Sequence, residues 1–159
     1  MTRPQSADAG RNDQGSNARQ RIIEALAKAD ETVLEEAWAA LDAKPGHSAV
    51  RGPESALVMI RGRIGGGGAP FNLGEATVSR ATVRLDSGEI GFGQTLGLEQ
   101  RKAELAAIFD ALAQRADFAG TVEALVASIE AGIAEKDAEH RRQTAATRVD
   151  FFTMVRGED

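Results

Sequence analysis

Three residues constrain the middle of this chain more than any others. Asp86-Ser87-Gly88 stands between Val83-Arg84-Leu85 and Glu89-Ile90, and a three-residue loop with glycine at its left-handed position joins two strands in a hairpin. The pairing is therefore antiparallel, because a parallel neighbour needs a crossover of about a dozen residues or more. Residues 49–51, 56–64, 76–85 and 89–96 are rich in β-branched and alternating residues and are bounded by Gly, Pro or Asp, so each reads as a strand.

The flanks read as helix. Ile22, Ile23 and Leu26 share one helical face, and Asp30 offers an N-cap for a second helix carrying Leu34, Ala37, Trp38 and Leu41. This predicts a helical hairpin stopped by Pro45-Gly46. Beyond the strands, Leu105, Ile108, Phe109, Leu112 and Ala116 form one apolar stripe on a helix starting near Leu98. Asp117 to Gly120 reads as an interruption, after which Val122, Leu125, Val126, Ile129 and Ile133 repeat the spacing. Residues 135–147 are charged and Ala-rich, an exposed helix or one awaiting a partner. The expected architecture is α+β: an antiparallel meander sheet flanked by an N-terminal helical hairpin and C-terminal helices, with an extended apolar C-terminal tail. Residues 1–17 are polar and predict a disordered tail, leaving 18–159 as a single domain.

Composition removes several function classes. The 159 residues contain no Cys, so the chain alone holds no iron-sulfur cluster or thiolate zinc site and has no thiol nucleophile. The longest apolar runs, such as residues 56–60 and 105–109, are five residues, against the roughly 20 of a membrane span. No apolar stretch follows Arg3, so no secretory signal is expected and a cytoplasmic location is. A net charge of -5 argues against general nucleic-acid binding. The chain also has no Tyr and one Trp, so it lacks the stacking aromatics of single-strand binders.

Two features are able to carry chemistry. Gly65-Gly66-Gly67-Gly68 could wrap a phosphate with successive N–H groups, but no Lys-Ser or Lys-Thr follows and no helix opens there. A plain flexible or tight connection between strands is the reading the spacing favours. Arg61, Arg63, Arg80 and Arg84 flank that run, with Glu75 the lone acid between residues 55 and 85, a local charge of +3 that leaves -8 for the rest. If both pairs face one side, four guanidiniums converge beside the glycines, suited to bidentate contact with phosphate or carboxylate. A solvated sheet face, or salt bridges to acidic helices, is the alternative. His47 and His140 lie in unlike contexts and read as surface residues, and no acid–base pair, nucleophile or metal set stands out.

Two long blocks resemble a known family. Arg63-Ile64-Gly65-Gly66 through Pro70-Phe71-Asn72-Leu73-Gly74-Glu75-Ala76-Thr77-Val78-Ser79-Arg80-Ala81-Thr82-Val83-Arg84-Leu85, and the terminal Arg148-Val149-Asp150-Phe151-Phe152-Thr153-Met154-Val155-Arg156-Gly157-Glu158-Asp159, look like the G subunits of the bacterial carbon-phosphorus lyase system. The resemblance covers about residues 20 to 159. It departs at Gly97-Leu98-Glu99, where an Arg-Asp pair after Gly is usual.

The resemblance implies a subunit in phosphonate catabolism. Its partners would be the H, I and J subunits of a core complex and an ATP-binding-cassette-like protein. ATP would be a co-substrate of the complex, its adenine displaced by a phosphonate to give a ribose 1-phosphonate 5-triphosphate. The iron-sulfur cluster and S-adenosylmethionine of the later cleavage would sit on the J subunit, so this chain would bind no cofactor or metal alone. Catalytic residues stay unassigned. Arg61, Arg63, Gly65, Gly66, Arg80 and Arg84 are candidates for ligand or interface contact, and Phe151, Phe152, Met154, Val155 and Arg156 for partner docking. An independent phosphate- or nucleotide-binding module using the Arg- and Gly-rich sheet face is the rival reading.

Overall fold

The structure, a computed structural model, describes residues 9–63 and 67–146. In chain order these form helices α1 (Ala9–Lys28) and α2 (Glu31–Ala39), strands β1 (His47–Arg63), β2 (Pro70–Leu85) and β3 (Ile90–Leu96), then helices α3 (Gln100–Leu112) and α4 (Ala116–Ala146). The fold is α+β, and the sheet is antiparallel in the order β1-β2-β3. Gly88 turns the β2–β3 hairpin at φ 110°, the left-handed region that glycine enters without a Cβ clash. The terminal residues 147–159, with the proposed apolar tail, lie outside the described residues.

The structure departs from expectation at several points, and β2 begins at Pro70 rather than at residue 76. The strands expected at 49–51 and 56–64 are one strand, β1, because Gly52-Pro53 is absorbed as an irregularity rather than a turn. One register shift falls just before it, between Ala49 and Arg51, and a second, between Arg51 and Glu54, contains it, and Gly52 takes φ 71°. Extra residues of this kind bend a strand without ending it. Helix α1 begins at Ala9, inside the 1–17 segment expected as a disordered tail, although Gly10, Asn12, Asp13, Gly15, Ser16 and Asn17 are weak helix formers. Asp117 to Gly120 does not interrupt the C-terminal helix. The break falls at residues 113–115, and Asp117 sits in the first turn of α4, where the helix dipole favours a carboxylate. Asp30 occupies the N-cap position of α2 without a capping hydrogen bond, since its carboxylate takes Lys136 Nζ on α4 at 2.6 Å.

Helix α3 is the centre of the fold. Ten of its residues, from Lys102 to Leu112, are buried, which is how a helix apolar on all sides behaves. One face packs on the sheet and the others receive α1, α2 and α4. The expected helical hairpin is therefore two consecutive helices that each pack on α3. The core joins Leu26, Leu34, Val83, Leu85, Leu105, Phe109, Leu112, Val122 and Val126.

Helix α3 and strand β3 approach each other closely. A Cβ on Gly91 would collide with the carbonyl of Ala107, and one on Gly93 with that of Ala103. Glycine at every second strand position meets Ala103, Ala107 and Ala111 at every fourth helix position, so backbone lies directly on backbone.

Arg19 and Asp110 close the outer edge of β3. Asp110 is fully buried and accepts hydrogen bonds from Arg19 Nε at 3.0 Å, Arg19 Nη2 at 2.7 Å and the Phe92 amide at 2.9 Å. Arg19 Nη2 and Gln114 Nε2 donate to the Ile90 carbonyl at 3.0 and 2.8 Å. Free strand-edge groups thus find partners, and the Arg19 guanidinium lies 5.6 Å from the Phe92 ring centroid.

Candidate functional site

Strand β3 ends at Leu96, opposite Val78, and β1 and β2 run on past it as a two-stranded ribbon. The candidate arginines are spread along this hairpin. Arg84 pairs in register with Ser48 and Ile90, and Arg80 with Glu54 and Gln94, within the three-stranded body. Arg61 and Arg63 pair with Asn72 and Pro70 near the ribbon's far end. From position 72 to Arg80 is eight residues of strand, about 26 Å at 3.3 Å each. The four guanidiniums therefore do not converge. Gly65 and Gly66 lie outside the described residues, as do Phe151, Phe152, Met154, Val155 and Arg156.

A different charged group forms instead. The Gly52-Pro53 irregularity brings Arg51 and Arg80 onto one carboxylate oxygen, Glu54 Oε1, each through its Nε at 2.8 Å. Hydrogen bonds from Arg80 first and Arg51 second hold the Glu54 carboxyl below its ordinary range. Splitting β1 into two strands hid this group from sequence reasoning; Glu54 immediately after Gly-Pro was the available signal. Arg84 stays exposed beside a shallow depression lined by Ser48, Leu85, Asp86 and Gly88. Arg61, Arg63 and Arg84 form no ion pair among the described residues.

On the sheet's inner face a short polar chain ties the ribbon to the body. Buried Ser79 Oγ donates to the Gly97 carbonyl at 2.8 Å and lies 2.9 Å from Ser55 Oγ, which takes Gln100 Nε2 at 3.1 Å. At the Gly97-Leu98-Glu99 turn, Glu99 pairs with Lys102 Nζ at 2.9 Å, so its charge is neutralised locally.

Catalytic machinery is not assembled among these groups. No three of His, Asp and Glu cluster as a metal site among the described residues. His47 packs edge-on against Trp38, with ring centroids 5.7 Å apart. The groove between α1 and α4 carries charges of both signs, and its Arg21 is already bound bidentate to Glu130 and singly to Glu123. What the described surface offers is three uncommitted cations on a long hairpin whose far end is apolar.

Comparison with known proteins settles the family. A family model described as "Phosphonate metabolism protein PhnG" matches residues 17–157. The chain belongs to the PhnG family. It is also 57% identical over 148 residues to the alpha-D-ribose 1-methylphosphonate 5-triphosphate synthase subunit PhnG of Rhizobium meliloti (strain 1021), covering 93% of this chain and 95% of that protein. The PhnG match takes in both the ribbon and the terminal apolar block. No helix among the described residues is long and apolar enough to cross a membrane.

Proposed function

We propose that the chain is the G subunit of an alpha-D-ribose 1-methylphosphonate 5-triphosphate synthase, acting within a carbon-phosphorus lyase core complex. The observation that carries this is the 57% identity to the Rhizobium meliloti subunit of that name across nearly the whole of both chains. In the reaction an oxygen of the phosphonate bonds to the anomeric carbon of ATP's ribose while the C–N bond to adenine breaks, adenine leaving with that bond's electron pair and taking up a proton. Both reactants are strongly anionic, so bringing them together needs cations. This chain can contribute Arg61, Arg63 and Arg84, either to those anions or to carboxylates of a neighbouring subunit. Arg80 is partly committed to Glu54.

The partners in this reading are the H, I and J subunits and an ATP-binding-cassette-like protein, with the iron-sulfur and S-adenosylmethionine chemistry on the J subunit. In this reading Phe151, Phe152, Met154 and Val155, with Arg156 beside them, bury against a partner subunit rather than only the home core. Each such side chain contributes roughly 1.5–3 kcal/mol when fully buried. Co-expression with the operon's H, I and J chains, followed by pull-down and mass determination, tests the reading. A defined large complex is expected, and it should be lost on deleting residues 149–159. A wild-type chain that stays alone among those subunits refutes the assembly role, and a deletion that leaves assembly unchanged refutes the docking role of the tail.

A further inference from the structure

The ribbon beyond β3 exposes large apolar side chains on both faces, with Thr77 and Glu75 beside Leu57 and Met59. Along the regular pairing from Glu54↔Arg80 to Ile60↔Gly74, alternation puts Leu57 and Met59 on the side of Ser55, and Val58 and Ile60 on the side of Glu54. All four are exposed, Leu57 at 63%, and so are Phe71 and Leu73 on the facing strand, Leu73 at 61%. Leu73 is the extra residue of a bulge between Ile60 and Arg61, and its side chain lies over Gly62. Six large apolar side chains about half exposed present on the order of 500 Å² of apolar surface, divided between the two faces. A two-stranded hairpin gains little from its own pairing, so something must cover this one.

The geometry decides among occupants. A second copy pairing edge to edge through β1 would extend the sheet and leave both faces in water. The chain's own residues 149–155 are seven in number, enough in length for one edge or a single face. Covering both faces takes a cleft. Charge narrows the choice further: Arg61 and Arg63, unpaired among the described residues, lie at the far end, while the acid on this stretch is Glu75, opposite Met59.

We propose that the ribbon inserts into an apolar cleft of a different subunit, with Leu57, Val58, Met59, Ile60 and Leu73 between the cleft walls and Arg61 and Arg63 meeting carboxylates at its inner end. The proposal rests on the synthase-subunit reading above and adds the element by which the chain is gripped.

The absence of Cys makes a direct test clean. Leu57→Cys and Leu73→Cys are made singly in the full chain, and maleimide labelling is compared for the free chain and for the complex with co-expressed H, I and J subunits. Rapid labelling of the free chain and at least tenfold slower labelling in the complex is expected. In parallel, L57D/L73D should weaken assembly by about thirtyfold or more, as loss of central anchors does, while Trp38 fluorescence and Tm of the free chain stay as in the wild type. R61E/R63E should weaken it about tenfold, most at low salt. Equal labelling in both states, or full assembly of L57D/L73D, overturns the proposal while leaving the synthase reading intact. Protection already present in the free chain, lost on dilution or on removal of residues 149–159, overturns it in favour of a second copy or the chain's own tail. Failure of the wild type to assemble removes the synthase reading and the proposal together.

Discussion

Replacing Arg19 by methionine should destabilise the chain far more than loss of a half-exposed arginine suggests. Asp110 is fully buried, and its carboxylate is held by three hydrogen bonds, two of them from Arg19. Arg19→Met keeps much of the apolar stem but leaves the carboxylate with the Phe92 amide alone. Breaking a buried ion pair from one side costs about 3–5 kcal/mol. Arg19's side chain is 38% exposed, so water reaches the carboxylate from that side, and about 3 kcal/mol is expected. For a chain of this length that lowers Tm by about 6–12 °C. Urea unfolding followed by Trp38 fluorescence measures it. Asp110→Asn should cost less, because an amide oxygen still accepts from Phe92 and Arg19 is released to solvent. The decisive sample is R19M/D110N, which removes the stranded charge and should be more stable than R19M. An R19M chain within about 1 kcal/mol of wild type, or a double variant as unstable as the sum of the singles, refutes the reasoning.

Gly93→Ala should destabilise by about 1–3 kcal/mol through overpacking against the α3 backbone, because its Cβ would meet the Ala103 carbonyl and the Ala107 amide. Gly120→Ala, on α4 where the added Cβ meets nothing, should stabilise by up to about 1 kcal/mol; thermal melts that rank these two the other way contradict the packing described. Glu54 has its folded pKa below the ordinary 4.5, so its contribution to stability is present above that value and lost as pH falls through the folded pKa. Glu54→Gln should therefore flatten the acid limb of the stability–pH curve below about pH 4.5, and urea midpoints at a series of pH values that superimpose with wild type there would count against it.

Local signals were legible and long-range ones were not. Asp86-Ser87-Gly88 specified the hairpin because turn chemistry is contained within a few residues. The stripe from Leu105 to Leu112 and that from Val122 to Ile129 placed two core helices, since period reports burial directly. Gly52-Pro53 misled because the same dipeptide serves a turn or a strand irregularity, and the pairing partner on β2 decides which. Convergence of the four arginines depended on the distance along the hairpin, which alternation does not contain. The Arg19–Asp110 pair was half legible: a lone carboxylate inside the apolar stripe of α3 was a local clue that Asp110 needs a partner, but nothing local pointed to Arg19 in a polar helix. The pairing of Gly91 and Gly93 with Ala103, Ala107 and Ala111 was readable in principle, as small residues at period two facing small residues at period four.

Because every other helix and the sheet lean on α3, the order of synthesis matters. Arg19 and Asp110 are 91 positions apart. At about 5–20 residues per second, the ribosome delivers the acid roughly 5–18 s after the arginine. By the end of that interval α1, α2 and the whole β1–β2 hairpin have been made, without the complete helix that buries them. The nascent chain therefore has no intermediate domain to fall into, and its folding waits for the last third to emerge.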